Sequence, residues 1–479
     1  MVTIPTIVIA APASGSGKTT VTTGLIGALR AAGHRVAPFK VGPDFIDPGY
    51  HAVAAGRPGR NLDPNLVGTD LVPRLFAAGS AGADIAVVEG VMGLFDGRIR
   101  SDDSGSAVAD ADPVAYGSTA HVAALIGAPV VLVVDGSGHS QSLAALLHGF
   151  LTYDSSVRIA GVILNRVGSP RHEQVLRHAC ARVGLPVFGV IGRDPSLMVP
   201  SRHLGLIPAA ERSTEAVAAV AAMSTEMTVS LDIPAIVDAA ATRARLTATP
   251  WSATDALEPA GSPVIAVAGG PAFTFCYTEL GELLTAAGAR IAVFDPVTDP
   301  LPDGTAGVVI GGGFPEEHAA ELSANITLRQ QLSEHAKSGG PIWAECAGLL
   351  YLTRELDGHP MAGVLDAVGR FSPALTLGYR DAISVADSVL FREGERVTGH
   401  EFHRSVVVED RPGRSPAWMW RDSSGRPARH GHVTGGVHAS YLHLHPAAHP
   451  AAVAGFVAAA DVFQHTAPDH TRRAMTEPT

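Results

Sequence analysis

Short, almost uninterrupted apolar runs alternate with segments of helical character along the first half of the chain. The runs are Thr6–Ala10, Arg35–Lys40, Ile85–Glu89, Val130–Asp135, Ile159–Asn165 and Val187–Ile191. A strand that is apolar all round must be buried on both faces, which a parallel sheet covered by helices provides. The pattern therefore predicts an α/β fold with its functional groups beyond the carboxyl ends of the strands. Lys18, Asp44, Asp47, Glu89, Asp96, Asp135 and Asn165 all fall at or just after such ends. A second alternating series begins at Val264–Ala268 and continues through Arg290–Phe294, Gly307–Ile310 and Pro341–Glu345. Arg396–Val408 and His432–His445 read as antiparallel or edge strands. A chain of 479 residues exceeds the roughly 250–300 that one core supports. Two domains are expected, 1–246 and 263–464, with a linker at 247–262 and a flexible tail at 465–479.

The first run leads into Ala11-Pro12-Ala13-Ser14-Gly15-Ser16-Gly17-Lys18-Thr19-Thr20 and then a helical segment from Val21 to Ala32. A strand, a small-residue loop and a helix N-terminus together aim several backbone N–H groups at one point. With the Lys18 ammonium they suit a polyphosphate, and the Thr19 hydroxyl suits Mg²⁺. The register matches G-x-x-x-x-G-K-[ST] except that Pro12 stands at the leading glycine. Ser14, Gly15, Ser16, Gly17, Lys18, Thr19 and Thr20 are the expected phosphate-binding residues.

A net charge of −11 argues against a nucleic-acid partner, which needs a basic face. Cys180, Cys276 and Cys346 are too few and too scattered for a disulfide framework or a zinc site. No run approaches the ~20 apolar residues of a membrane span, and the N-terminus lacks a signal-peptide pattern. The chain is expected to be cytoplasmic.

Cys346 lies in Pro341-Ile342-Trp343-Ala344-Glu345-Cys346-Ala347-Gly348-Leu349-Leu350, an apolar strand, a tight turn and a helical run. That is the layout of a nucleophile elbow, where a thiol at a helix start is favoured as thiolate. His443 in Tyr441-Leu442-His443-Leu444-His445 is the candidate base, and alternation puts His443 and His445 on one strand face. The turn Gly311-Gly312-Gly313-Phe314-Pro315-Glu316 is the candidate oxyanion loop, through Gly312 and Gly313.

The Ala-Glu-Cys-Ala-Gly-Leu elbow, the Gly-Gly-Gly-Phe-Pro-Glu turn and the Tyr-Leu-His segment resemble a class I-type glutamine amidotransferase of the cobyric-acid-synthase branch. The N-terminal half resembles the dethiobiotin-synthetase-like, P-loop-type ATP-binding domain. Lys40-Val41-Gly42-Pro43-Asp44-Phe45-Ile46-Asp47-Pro48-Gly49-Tyr50-His51 and Val88-Glu89-Gly90-Val91-Met92-Gly93-Leu94-Phe95-Asp96-Gly97 complete the likeness. Together they resemble the cobyrinic or hydrogenobyrinic acid a,c-diamide synthase family over residues 5–460. Two departures stand out: Phe273-Thr274-Phe275-Cys276-Tyr277 replaces an aromatic-rich acidic segment, and His445 occupies the place of the triad acid. Cys346 and His443 are then expected to act as a dyad.

The resemblance implies ATP and Mg²⁺ as cofactors, with L-glutamine and a corrinoid carboxylic acid as small-molecule partners. A carboxylate becomes an amide once the γ-phosphoryl of ATP converts it to an acyl phosphate that ammonia attacks. Thr19, Glu89 and Asp47 or Asp44 are the expected metal shell, and Asn165 an adenine-reading residue. Asp44, Phe45, Ile46, Tyr50, His51 and Asp96 are expected at the substrate, with Arg57 and Arg60 as further carboxylate holders. Ammonia is mostly ammonium at neutral pH, so a sheltered route between the sites is implied. The a and c carboxylates of a metal-free corrin are favoured over those of a cobalt corrin. A cobyric acid synthase, or a P-loop regulatory ATPase carrying an inactive amidotransferase-like domain, remain alternatives. The sequence leaves a homodimer open.

Overall fold

The computed structural model describes residues 4–101, 114–194, 213–244, 246–409, 416–422 and 425–466, with short pieces at 107–108, 201–202 and 205–206. Residues 467–479 of the expected tail lie outside the described residues. The chain divides into two compact units between Trp251 and Ser252. Trp251 N–H bonds Arg74 O in the first unit, and Ser262 N–H bonds the Asp461 carboxylate in the second.

The first unit is built on a seven-stranded sheet: β1 (Thr6–Ala10), β2 (Val36–Val41), β3 (Arg60–Leu62), β4 (Ile85–Glu89), β5 (Val130–Asp135), β6 (Ile159–Val167) and β7 (Val187–Gly192), in the order β3-β2-β4-β1-β5-β6-β7. Every pairing is parallel. Ile7, Val8, Ile9, Val87, Val88, Leu132, Val133 and Ile163 have no exposed surface, as the apolar runs require when helices cover both faces. The order reverses at β1, whose neighbours are β4 and β5, and that switch point is where such sheets bind ligands. Helix α1 (Lys18–Ala31) follows β1, and α2 (Asp47–Ala55) follows β2. A long helix, α3 (Ser213–Ser230), packs on α1, and Gly24 and Gly27 permit the approach. A Cβ at Gly27 would lie 1.9 Å from Ser224 Oγ. Strand β3, too short for the apolar-run criterion, escapes the sequence reading.

The second unit holds a six-stranded sheet of β8 (Val264–Ala268), β9 (Arg290–Phe294), β10 (Thr305–Ile310), β11 (Ile342–Glu345), and the later pair His432–Thr434 and Val437–Ser440. The order runs β9-β8-β10-β11, then Val437–Ser440, then His432–Thr434; only the last pairing is antiparallel. Between β11 and that late pair the chain forms a long antiparallel hairpin, β12 (Ala367–Ser384) and β13 (Arg396–Glu409). The apolar core gathers Ala266, Val308, Ile310, Leu328, Leu332, Ile342, Ala344, Leu349 and Tyr351. Among the described residues no helix is long and apolar enough to cross a membrane.

Candidate active sites

In the first unit the loop between β1 and α1 is set by two glycines. Gly15 (φ 78°) and Gly17 (φ 92°) occupy the left-handed region, which costs other residues strain. Gly17 caps α1 and accepts the N–H of Val21. The Asn165 amide, at the end of β6, donates to Ser16 O at 2.9 Å, and its oxygen accepts the Arg166 N–H. Asn165 thus braces the loop, with both halves of its amide engaged by protein.

Lys18 extends beside the loop after β4 and donates to Met92 O at 2.6 Å. Burial, then the nearby Lys40 charge, hold its pKa below the ordinary lysine value. The 91–97 loop is pinned to the phosphate loop through Leu94 N–H to Ala11 O, and the Asp96 carboxylate closes its turn by accepting from Gly93 N–H at 2.8 Å. Asp96 is itself exposed at that turn.

The carboxyl ends of β1, β2 and β4 bring three expected ligands together. Thr19 Oγ1 donates to Glu89 Oε1 at 2.7 Å and lies 3.3 Å from Asp47 Oδ2. Lys40, on β2, stands between the carboxylates, 3.1 Å from Asp47 and 3.2 Å from Glu89. His51 Nε2 lies 2.6 Å from the other Glu89 oxygen. Burial opposes charge on both Lys40 and Glu89. Their mutual attraction outweighs it, so Lys40 is held above, and Glu89 below, its usual range. Burial and the Asp44 and Glu89 charges push Asp47 upward. One hydroxyl and two carboxylates are a donor set that fits Mg²⁺, which takes few protein oxygens and keeps waters.

Asp44 and His51, expected at the substrate, adjoin this cluster. The Asp44 carboxylate accepts the N–H groups of Ile46 and Asp47 and so fixes the turn that leads into α2. Phe45 is half-buried on the same turn, whereas Ile46, Tyr50 and His51 are buried and do not face solvent. His51 faces Glu89. Arg57 donates to Gly79 O and Ala81 O, and Arg60 lies 5.8 Å from the Trp251 ring. Both arginines are engaged in holding the fold.

In the second unit Cys346 follows β11 directly, with φ 49° and ψ −100°, the strained backbone of a sharp strand-to-helix turn. The following helix is α4 (Ala347–Tyr351). The turn is this tight because Gly348 lies against β10, where a Cβ would meet Ile310 O at 2.2 Å. Gly348 N–H bonds Gly311 O, which fastens the elbow to the glycine turn after β10. At Gly312 a Cβ would lie 2.5 Å from His443 Cε1. The structure thus brings Cys346, His443 and the Gly312–Gly313 turn to the ends of adjacent strands.

His443 is fully buried. It does not continue the preceding strand. The chain leaves the sheet after Ser440, and His443 forms a reciprocal backbone pair with His400 of β13, both bonds 2.9 Å. Burial lowers its pKa, but Cys346 and Glu345 outweigh this and raise it to about 10, which favours the imidazolium. His445 points elsewhere: it stacks on Tyr277 at 4.3 Å and lies 3.9 Å from Glu279. The expectation that both histidines share one face of a strand is corrected by this departure from the sheet.

Residues 7–207 match the family model described as the CobQ/CobB/MinD/ParA nucleotide binding domain, and 264–451 match the CobB/CobQ-like glutamine amidotransferase domain. Over 457 residues the chain is 58% identical to the hydrogenobyrinate a,c-diamide synthase of Mycobacterium tuberculosis H37Rv, spanning 95% of this chain and 98% of the relative. The chain belongs to the a,c-diamide synthase family. Identity to the hydrogenobyrinate a,c-diamide synthase of Streptomyces coelicolor is 52%, over 95% and 97% of the two chains. The cobyrinate a,c-diamide synthase of Gloeobacter violaceus is 43% identical, over 92% and 93%.

Two members of these sites escape a reading of this family member's sequence alone. Lys40 is the cation between the expected metal ligands, and only its place at the end of a buried strand marks it. Glu345 Oε2 lies 3.4 Å from His443 Nδ1, while its other oxygen accepts from Trp343 Nε1 at 3.0 Å. An acid directly before a nucleophile carries no local signal of contact with a histidine that returns much later in the chain.

Proposed function

We propose that this family member is a carbon–nitrogen ligase that amidates the a and c side-chain carboxylates of a corrinoid acid in cobalamin biosynthesis, using ATP and glutamine. The reading rests above all on one chain carrying both a phosphate loop with Lys18 and an elbow Cys346 paired with His443. Hydrogenobyrinic acid is the favoured substrate, because the relatives with the highest identities quoted above carry that name.

In the first unit, Lys18 and the N–H groups of Gly15 to Thr19 hold the ATP phosphates while the γ-phosphoryl passes to the substrate carboxylate. The carboxylate oxygen attacks phosphorus, ADP leaves, and ammonia then displaces phosphate from the acyl phosphate. Thr19, Asp47 and Glu89 would hold Mg²⁺, which when bound offsets the charge between the two anions. In the second unit, the Cys346 thiolate attacks the side-chain amide carbon of glutamine. The N–H groups of Gly312 and Gly313 stabilise the oxyanion. His443 gives its proton to the departing ammonia, leaving a thioester that water hydrolyses to glutamate and free thiol.

The test supplies hydrogenobyrinic and cobyrinic acids separately with ATP and either glutamine or ammonium. Diamide formation is expected with both nitrogen sources and a higher kcat/KM for the metal-free acid. Lys18→Ala should abolish amidation from both sources, and Cys346→Ala only that from glutamine. Glutamine-driven amidation surviving in Cys346→Ala, or ATP-dependent amidation surviving in Lys18→Ala, would overturn the assignments.

A further inference from the structure

We infer that Glu345 is the positioning residue of His443, supplying from the residue before the nucleophile the carboxylate that glutaminase triads usually draw from two positions after the histidine. The inference rests on the Cys346–His443 reading above and deepens it. Three observations carry it.

Distance and route come first. Glu345 Oε2 stands 3.4 Å from His443 Nδ1, and the pairing register sets Glu345 beside Ser440 on the neighbouring strand. Three residues past Ser440 the chain has turned back over the end of β11. That is why an acid at the strand end reaches the imidazole.

Second, the carboxylate is itself held. Trp343 and Glu345 share one face of β11 by alternation, and the Trp343 Nε1–H donates to Glu345 Oε1 at 3.0 Å. Trp343 is buried and packs edge-on against Phe456. A carboxylate fixed through one oxygen offers the other in a set direction, as buried acids that orient catalytic histidines do.

Third, the position that the usual acid would fill is engaged elsewhere, since His445 stacks on Tyr277 and faces Glu279. The remaining titratable neighbours do not substitute for Glu345. His400, on β13, is driven neutral by burial and by His443, with its pKa lowered to about 3. Cys276 is exposed, and the Glu345 and Glu279 charges beside it favour its neutral thiol. With Nδ1 facing the carboxylate, Nε2 is the nitrogen left to exchange a proton with the Cys346 thiol. The separation closes to a charge-assisted hydrogen bond as the imidazolium forms.

Glu345→Gln keeps the shape and removes the charge. The kcat of glutamine hydrolysis should fall roughly 10²-fold while KM for glutamine stays within about twofold, the pattern of an interaction made in the transition state. Ammonia-driven amidation should be unchanged. Iodoacetamide alkylation of Cys346 should need a higher pH, because less thiolate persists near neutrality. Glu345→Asp should lose less than Glu345→Gln, and Trp343→Phe, which removes only the N–H donor, should shift the alkylation profile the same way by a smaller amount.

An unchanged kcat in Glu345→Gln, or an unchanged alkylation profile in Trp343→Phe, would overturn the inference. So would equal losses in Glu345→Asp and Glu345→Gln. If Glu345→Gln does not fold, Trp343→Phe and Glu345→Asp decide the matter. Cys346→Ala, run alongside, separates the two claims. Glutamine-driven turnover surviving there sinks the underlying assignment, whereas its loss beside a fully active Glu345→Gln sinks only this one.

Discussion

Gly312→Ala tests whether the glycine turn after β10 sets the position of the base. The backbone at Gly312 lies outside the left-handed region, so alanine meets no conformational penalty there. Its methyl does meet the imidazole: the new Cβ would lie 2.5 Å from His443 Cε1, where 3.4 Å is the shortest ordinary contact, so one side must give by about 0.9 Å. The far side cannot yield, because the Cβ also lies 3.1 Å from Phe275 Cδ2 and the Phe275 N–H is bonded to Gly312 O. The His443 backbone is tied to His400, so the ring must tilt. A misplacement near 1 Å costs a catalytic group about 10²-fold, or roughly 2.7 kcal/mol of barrier. Glutamine hydrolysis should therefore fall by that factor, with ammonia-driven amidation close to the parent's and the overpacking lowering stability by about 1–3 kcal/mol. A steady-state glutaminase assay beside the ammonium-driven reaction reads both. Wild-type glutaminase activity in a folded Gly312→Ala would refute the contact and the reasoning built on it.

Two further outcomes follow from the buried charges. Lys40→Met leaves Asp47 and Glu89 facing each other without their cation, which should cost about 3–5 kcal/mol in urea unfolding. Because Asp47 is already pushed upward, acid should relieve that deficit, so it should shrink as pH falls. In the second unit, burial lowers His335 and His449 to about 4 and His438 to about 3. Unfolded histidine takes up its proton near pH 6.5, before these do, so their stabilisation is fully present above that pH and is lost as pH falls toward 4. Thermal melts between pH 7 and 4.5 should show this slope, and His335→Gln should flatten it by roughly 1.4 kcal/mol per pH unit.

The parallel strands were legible because burial on both faces leaves a local mark: six apolar runs of the first half coincide with strands to within two residues at each end. The hairpin was harder. Strand β12 contains Pro373 and Gly378 and is exposed along much of its length, so its register is fixed by β13 and by no pattern of its own. Among the candidate site residues, Glu89 and Cys346 stand at or directly after strand ends and Lys18 and Thr19 open the helix after β1, where sequence order and spatial order agree, whereas His443 reaches its place only after the chain has left the sheet. Asn165 and His51 stand at similar positions, and their contacts with the phosphate loop and with Glu89 join residues far apart in the chain, which no local sequence marks. Glu345 depended on a chain reversal after Ser440 that composition does not encode.

The reciprocal hydrogen bonds between His400 and His443 restrict where this chain can change length. The hairpin lies between nucleophile and base in the sequence, and its β13 strand carries the base's anchor point. Residues added at the turn between β12 and β13 leave that pairing in place. A single residue added or removed within β13 beside His400 shifts the strand by one position and turns every side chain to the opposite face. Insertions should thus accumulate at the hairpin's ends, while the length of β13 around His400 stays fixed.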